Sequence, residues 1–158
     1  NTNVAVVCAG AKSILDLGLT LEYLETNGVP VLGYKTKELP AFYTRKSGFE
    51  LDYAVNSPKE FAEILKTKWD LGLKRGIIIA NPIPEEFSMD YNVITKAIEE
   101  AVEEAKKLGI KGKKSTPFLL DKIQKITAGD SLKANIELVF NNTRLATKIA
   151  KNFHELNK

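Results

Sequence analysis

The sequence has few of the residues that build disulfides, metal centres or membrane spans. Its 158 residues include one cysteine, Cys8, and one histidine, His154. A single cysteine excludes an intrachain disulfide and favours a reducing compartment, so we expect a cytoplasmic protein. No apolar run approaches the roughly 18 residues that cross a bilayer, so no membrane partner is expected. No cluster of His, Cys and Asp has the spacing of metal ligands.

An excess of positive charge is also missing. The 23 Lys and Arg residues against 20 Asp and Glu leave a net charge of +3, and lysines and glutamates are mixed along the chain. This pattern is typical of a solvated surface and argues against a nucleic acid partner. His154, near the end of the sequence, is expected at a surface position rather than in catalysis.

Two nucleotide-binding motifs are absent as well. The segment Gly10-Ala11-Lys12-Ser13 ends like a P-loop, but that motif requires a glycine directly before the lysine, and Ala11 stands there. No G-x-G-x-x-G occurs anywhere in the chain, so dinucleotide binding has no support.

Short apolar runs do alternate with amphipathic segments. Strands are predicted at Val4–Ala9, Val29–Tyr34, Leu51–Val55 and Ile77–Ala80, with the first covered on both faces. Helices are predicted to begin near Lys12 or Ser13, at Pro58 behind an Asn56 or Ser57 cap, at Asp90, at Thr116 and near Leu132. This order predicts an α/β fold: a largely parallel sheet with flanking helices and a helical C-terminal third. Residues 1–158 form either a single domain or the C-terminal half of a longer α/β domain.

Three loops should meet at one edge of this sheet. Ligands bind at the carboxyl ends of parallel strands, which here lead into residues 9–13, 34–49 and 81–84. The segment from Lys35 to Phe49 shows neither a helical nor a strand period, and irregular segments of this length are usually functional or mobile.

Lys12 is the side chain at this edge whose chemistry most needs explaining. A helix N-terminus and desolvation at the strand end would both disfavour its ammonium form, and a neutral amine is a nucleophile towards carbonyl groups. Alternatively, Lys12 holds a phosphate as a point charge, or it is a surface lysine after a turn. Asp16 is placed to form an i,i+4 ion pair with it.

Three asparagines in the last helix also call for a reason, because asparagine is a mediocre helix former. Asn135, near the start of that helix, could direct its amide at a ligand. Exposure to solvent is the favoured interpretation for Asn141 and Asn142.

Several motifs in order, covering essentially the whole chain, carry a family resemblance. They are Val6 to Asp16 continuing into Leu19–Thr26, Pro40–Tyr43, Ala80–Glu85, Ser115–Leu120, and Ser131–Ile136 with Asn141-Asn142. These segments closely resemble pseudouridine-5'-phosphate glycosidases, the indigoidine synthase A-like family. The resemblance implies reversible cleavage of the C–C glycosidic bond of pseudouridine 5'-phosphate to uracil and ribose 5-phosphate.

The resemblance also implies roles for individual residues. Lys12 matches the lysine that forms a Schiff base with C1' of the opened ribose, and Asn135 matches an asparagine near the reacting sugar. Apart from the resemblance, Lys12, Ser13 and the loop around Arg45 are candidates for binding the substrate phosphate. Of these, Ser13 is predicted as a substrate-binding residue.

Other parts of the family's site have no counterpart here. Its catalytic acid glutamate, a second lysine and the aspartate that ligates a divalent metal, typically manganese, are expected upstream of the matched region. We therefore expect this chain to be a C-terminal half that is inactive alone and exposes an apolar surface. A homotrimer, or association with an N-terminal half, follows from the resemblance. A non-catalytic module that binds a sugar phosphate or a partner, and a generic Schiff-base aldolase, are the competing interpretations.

Overall fold

Four parallel strands form the centre of the molecule. The computed structural model describes residues 2–12 and 14–158. The strands are β1 (Ala5–Cys8), β2 (Val31–Tyr34), β3 (Tyr53–Val55) and β4 (Ile77–Ala80), in the sheet order β1-β4-β2-β3. Every pair in this sheet is parallel, so all four carboxyl ends lie at one edge. The predicted parallel α/β sheet is confirmed.

The first strand is less covered than its sequence suggested. β1 has a single strand neighbour, β4, among the described residues, and Val6 at its middle is 46% exposed. The expectation that both faces of β1 are covered is therefore wrong. An apolar run cannot reveal whether its strand lies at the centre or at the edge of a sheet.

Five α-helices accompany the strands in the described part of the chain. They are α1 (Leu17–Thr26), α2 (Pro58–Asp70), α3 (Tyr91–Lys107), α4 (Ser115–Ile126) and α5 (Asp130–Glu155), with 3₁₀ turns at Glu85–Phe87 and Gly112–Lys114. The helical C-terminal third is confirmed. None of the helices in the described ranges is both long and apolar enough to cross a membrane.

The helices α2 and α1 each begin where a side chain accepts a hydrogen bond from a free backbone N–H group. The Ser57 hydroxyl accepts from the amide of Glu60, and the Glu60 carboxylate accepts from the amide of Asn56, so the predicted cap of α2 is confirmed. The Asp16 carboxylate accepts from the amide of Leu19 at 2.9 Å and caps α1. The expected start of that helix at Lys12 or Ser13 is wrong.

Helices cover both faces of the sheet. Ile77 and Ile79 of β4 pack on one face with a cluster from α2 and α5 that includes Phe61, Leu145 and Ile149. On the other face α1 packs Leu17 and Leu21 near Ala80, Leu39 and Leu51. α5 is 26 residues long, and only its C-terminal half packs with this sheet cluster.

The N-terminal half of α5 extends beyond the sheet. There Ala134 and Leu138 join a second cluster with Ala9, Tyr43 and Ile83, which come from the loops at the carboxyl ends of the strands. The fold therefore places one helix against both the sheet and the loops where ligands of such sheets bind.

Candidate functional site

The three predicted loops do meet at the carboxyl edge of the sheet, which we call the rim. The amide of Phe42 donates to the Ala9 carbonyl at 2.9 Å, and the amide of Asn81 donates to the Cys8 carbonyl at 2.7 Å. The Arg45 guanidinium donates to the Ile83 carbonyl at 2.6 Å. Each loop is thus tied to another by a hydrogen bond, and the prediction of a shared rim is confirmed.

The loop between β2 and β3 is irregular but well bonded. The Leu39 amide donates to the Phe49 carbonyl at 2.8 Å. The Glu38 carboxylate accepts the amides of Ser47 and Gly48 at 3.0 and 2.7 Å. These contacts hold the loop as one wall of the rim without a helix or a long strand.

Lys12 lies in the turn that leaves β1 at the rim. It is half-buried, and its carbonyl accepts the amide of Leu15 at 2.8 Å. The helix dipole does not act directly beside Lys12, because α1 begins only at Leu17. The expectation that a helix N-terminus lies directly beside Lys12 is therefore wrong, whereas the residue is half-buried at the strand end as expected.

The expected ion pair between Lys12 and Asp16 does not form. Lys12 and residues 14–16 are not helical, so the i,i+4 geometry is lost, and the Asp16 carboxylate caps α1 instead. Lys12 has no salt bridge with any residue that the structure describes. The predicted substrate-binding residue Ser13 lies outside the described residues.

Asn135 lies on the part of α5 that extends past the sheet. It is half-buried beside Ala134, which is packed in the same cluster as Ala9 and Leu138. Ile14, two residues after Lys12, packs against that cluster as well. The side chain of Asn135 makes no hydrogen bond within the described ranges, so its amide is available to a ligand.

Asn141 and Asn142 connect α5 to the end of β4. The Asn141 side chain donates to the Pro82 carbonyl at 3.0 Å, and the Asn142 side chain accepts from the Asn81 side chain at 3.0 Å. Both are half-buried, so the expectation of solvent exposure is wrong. Helical spacing could have predicted this partial burial, because Asn142 lies on the same side of the helix as the buried Leu138 and Leu145.

Asn81 is a residue that the sequence analysis did not single out. It is the first residue after β4, is only 3% exposed, and bonds both to the strand that leads to Lys12 and to the helix that carries Asn135. The sequence did contain a signal for this role, because Asn81 is a polar residue directly after a predicted buried strand.

Two titratable groups at the rim are held in their neutral forms. Burial raises the pKa of the Cys8 thiol, although a backbone hydrogen bond from Gly10 partly offsets that effect. Burial also raises the pKa of Tyr43 to about 12. Cys8 is therefore a poor nucleophile near neutral pH.

A metal site does not emerge from the residues in the described ranges. No group of three or more His, Cys, Asp or Glu residues there is placed to hold a metal ion. The side chains around the rim are mainly amides, hydroxyls and amines, which do not form the carboxylate-rich set that a hard divalent cation prefers.

Comparison with known proteins covers nearly the entire chain. The model of the family described as "Indigoidine synthase A like protein" matches residues 1–152. A Clostridium botulinum protein named pseudouridine-5'-phosphate glycosidase is 68% identical over 158 residues, which are 100% of this chain and 52% of that protein. An Escherichia coli protein of the same name is 57% identical, covering 99% of this chain and 50% of its own length.

Two solved structures share the fold. A prealnumycin C-glycosynthase in complex with ribulose 5-phosphate has a TM-score of 0.89 at 31% identity, covering 99% of this chain and 52% of that one. An indigoidine synthase A-like protein of Thermotoga maritima has a TM-score of 0.86 at 35% identity, covering 95% and 49%. The chain therefore spans about half the length of the relatives that it matches.

Proposed function

This chain belongs to the indigoidine synthase A-like family, and from that membership we propose that it is the lysine-bearing half of a pseudouridine-5'-phosphate glycosidase. The reaction is the reversible cleavage of the C–C glycosidic bond of pseudouridine 5'-phosphate to uracil and ribose 5-phosphate. The observation that carries the proposal is 68% identity, along the whole chain, to a relative with that name.

Lys12 is the proposed nucleophile. Its amine attacks C1' of open-chain ribose 5-phosphate, and loss of water leaves an iminium. In the cleavage direction, the amine bonds to C1' as the ring C1'–O4' bond breaks, O4' takes up a proton and the nitrogen loses one. The nitrogen lone pair then forms that iminium while the electron pair of the C1'–C5 bond passes to uracil C5, which takes up a proton. Water then hydrolyses the iminium and frees Lys12. The half-buried position of Lys12 at the rim supports this role.

Asn135 and Ser13 are the proposed substrate-binding partners of Lys12. The amide of Asn135 has no partner among the residues described here, so it can bond to the hydroxyl groups of the sugar. Ser13 follows Lys12 directly in sequence and is proposed to bind the substrate phosphate because of that position. The neighbour that binds ribulose 5-phosphate supports a pentose phosphate as the ligand class.

Reduction with borohydride tests the nucleophile. The chain is incubated with ribose 5-phosphate and reduced, and the peptide that contains Lys12 is analysed by mass spectrometry. We expect a stable adduct on Lys12 and none in Lys12→Arg, which keeps the charge but not the nucleophile. Lys74→Arg, an exposed position outside the rim loops, is the matched control and should be labelled like the wild type.

The competing functions give different results in this experiment or in a cleavage assay with ketose phosphates. A module that only holds a phosphate would bind ribose 5-phosphate, retain that binding in Lys12→Arg and form no adduct. A generic Schiff-base aldolase would cleave ketose phosphates such as ribulose 5-phosphate into two smaller carbonyl compounds. Either result would contradict the proposed glycosidase.

The remaining parts of the reaction are proposed to lie outside this chain. A divalent metal, manganese by resemblance, would be held by the half of the relatives that the chain does not cover, together with the catalytic acid. We propose that the chain is inactive alone, acts in the cytoplasm, and either forms a homotrimer or associates with that N-terminal half. Uracil release by the isolated chain would contradict this, and sedimentation of the reconstituted complex would test the trimer.

A further inference from the structure

A continuous path of hydrogen bonds joins the strand that leads to Lys12 with the helix that carries Asn135. The Cys8 carbonyl accepts from the backbone amide of Asn81 at 2.7 Å. The Asn81 side chain then donates to the Asn142 side chain at 3.0 Å. Lys12 lies four residues after Cys8, and Asn135 lies two helical turns before Asn142.

The bonds occur where α5 leaves the sheet. Leu145 packs with the sheet cluster on the C-terminal side of the two asparagines, and Leu138 packs with the rim cluster on their N-terminal side. Asn141 adds a second bond, to the Pro82 carbonyl at 3.0 Å. Two neighbouring residues of the helix thus bond to two consecutive residues of the rim.

Amide hydrogen bonds constrain the helix more strictly than its apolar contacts do. Apolar packing is non-directional, so leucine contacts alone allow small rotations and shifts along the axis. A hydrogen bond weakens steeply with distance and misalignment, and the nearly buried Asn81 would be costly to leave unpaired. The pair therefore specifies both the rotation and the height of α5 above β4.

From this geometry we propose that Asn81 and Asn142 are positioning residues, whose amide pair holds Asn135 at the height and rotation needed for Schiff-base chemistry at Lys12. The proposal rests on the proposed function, because it assumes that Lys12 and Asn135 act on one sugar. Neither Asn81 nor Asn142 need touch the substrate for this role.

The first test compares rates of borohydride-trapped adduct formation with ribose 5-phosphate. Asn142→Leu has a similar shape but no acceptor, and we expect it to slow trapping by about 10- to 100-fold. Asn142→Asp keeps an acceptor for the Asn81 amide and should recover most of the rate. Asn152→Leu is the matched control, because Asn152 bonds only within α5, to the Lys148 carbonyl, and it should trap like the wild type.

A double variant separates positioning from a general structural role. If Asn142 acts through Asn135, then Asn135→Ala combined with Asn142→Leu should be no slower than Asn135→Ala alone. An equal further loss in the double variant, or a wild-type rate in Asn142→Leu, would overturn the proposal.

Hydrogen exchange tests the same proposal without substrate. Asn142→Leu should speed amide exchange in residues 131–141 while leaving residues 146–155 as in the wild type, and Asn142→Asp should reverse the effect. Unchanged or uniformly faster exchange would contradict positioning.

If Asn142→Leu does not fold, Asn142→Ser removes the same 3.0 Å contact with a smaller polar group. If the wild-type chain forms no borohydride-trapped adduct, the proposed function is refuted. The hydrogen-exchange comparison would still test whether the asparagine pair positions α5.

Discussion

The carbonyl oxygen of Pro40 occupies the space that a side chain at residue 10 would need. A Cβ atom added to Gly10 would lie 1.7 Å from that oxygen, and the backbone of Gly10 has a φ of +83°. The turn that delivers Lys12 to the rim thus depends on glycine for space and for conformation. We expect Gly10→Ala to lower the free energy of unfolding by roughly 3 kcal/mol or more, measured in urea.

Gly48 provides the control for the part of the lost stability that comes from backbone conformation. Its φ is +84°, but an added Cβ would meet nothing within 4 Å. Gly48→Ala should cost only about 1–2 kcal/mol, the penalty for the left-handed backbone alone. Equal losses in the two variants would contradict the close approach of Pro40.

The start of α1 at Leu17 is tested through its cap. The Asp16 carboxylate accepts the amide of Leu19, so Asp16→Ala should lower the free energy of unfolding by about 1 kcal/mol. Asp16→Asn keeps an acceptor, so its loss in free energy of unfolding should be only a few tenths of the loss expected for Asp16→Ala. If the two variants unfold at the same urea concentration, α1 does not begin at this cap.

Elements with local signals were predictable from the sequence. Ile77–Ala80 is a strand at the predicted residues, because four apolar residues stand between a glycine and an Asn-Pro turn. α2 begins at Pro58 because Ser57 and Glu60 are a local capping pattern. The parallel order of the strands then brought the three loops to one rim.

The errors concern features that depend on the rest of the fold. The glycine and small residues before Lys12 imitate a helix start, but Asp16 is the residue that pairs with a free amide of α1. The exposure of Val6 depends on what covers its face of the sheet, which its own strand does not specify. Asn142 looked like a surface residue because its partner, Asn81, lies 61 positions away in the sequence.

Tyr43 makes the folded chain less stable in alkali. Burial raises its pKa from 10.0 to about 12, so between these pH values the unfolded chain has released a proton that the folded chain retains. The free energy of unfolding therefore falls as pH rises through this window, by about 2–3 kcal/mol at pH 12. Tyr43→Phe keeps the ring in place and should remove this part of the pH dependence.

The comparison between wild type and Tyr43→Phe is needed because a second group acts in the same range. A hydrogen bond to Glu104 raises the pKa of the half-buried Lys122, so its contribution to stability is also lost as pH rises. Lys122→Met should leave the Tyr43 effect in place. Parallel curves for wild type and Tyr43→Phe above pH 10 would show that Tyr43 ionises freely in the folded chain.

The open edge of β1 offers the last test, which rests on the proposed association with an N-terminal half. Val6 belongs to this edge strand and is 46% exposed. It lies on the sheet face opposite Ala5 and Val7, which pack with the α2 and α5 cluster. A lysine on an edge strand opposes the addition of another strand, because its charge would have to be desolvated in the new sheet.

When the chain is mixed with the N-terminal half of the Clostridium botulinum relative, uracil release from pseudouridine 5'-phosphate should appear. Val6→Lys should reduce that release by about tenfold or more at limiting partner. Leu71→Lys, at an apolar position that is more exposed than Val6 and lies at the end of α2, should release uracil like the wild type. Equal release by the two variants would place the association on another surface of the chain.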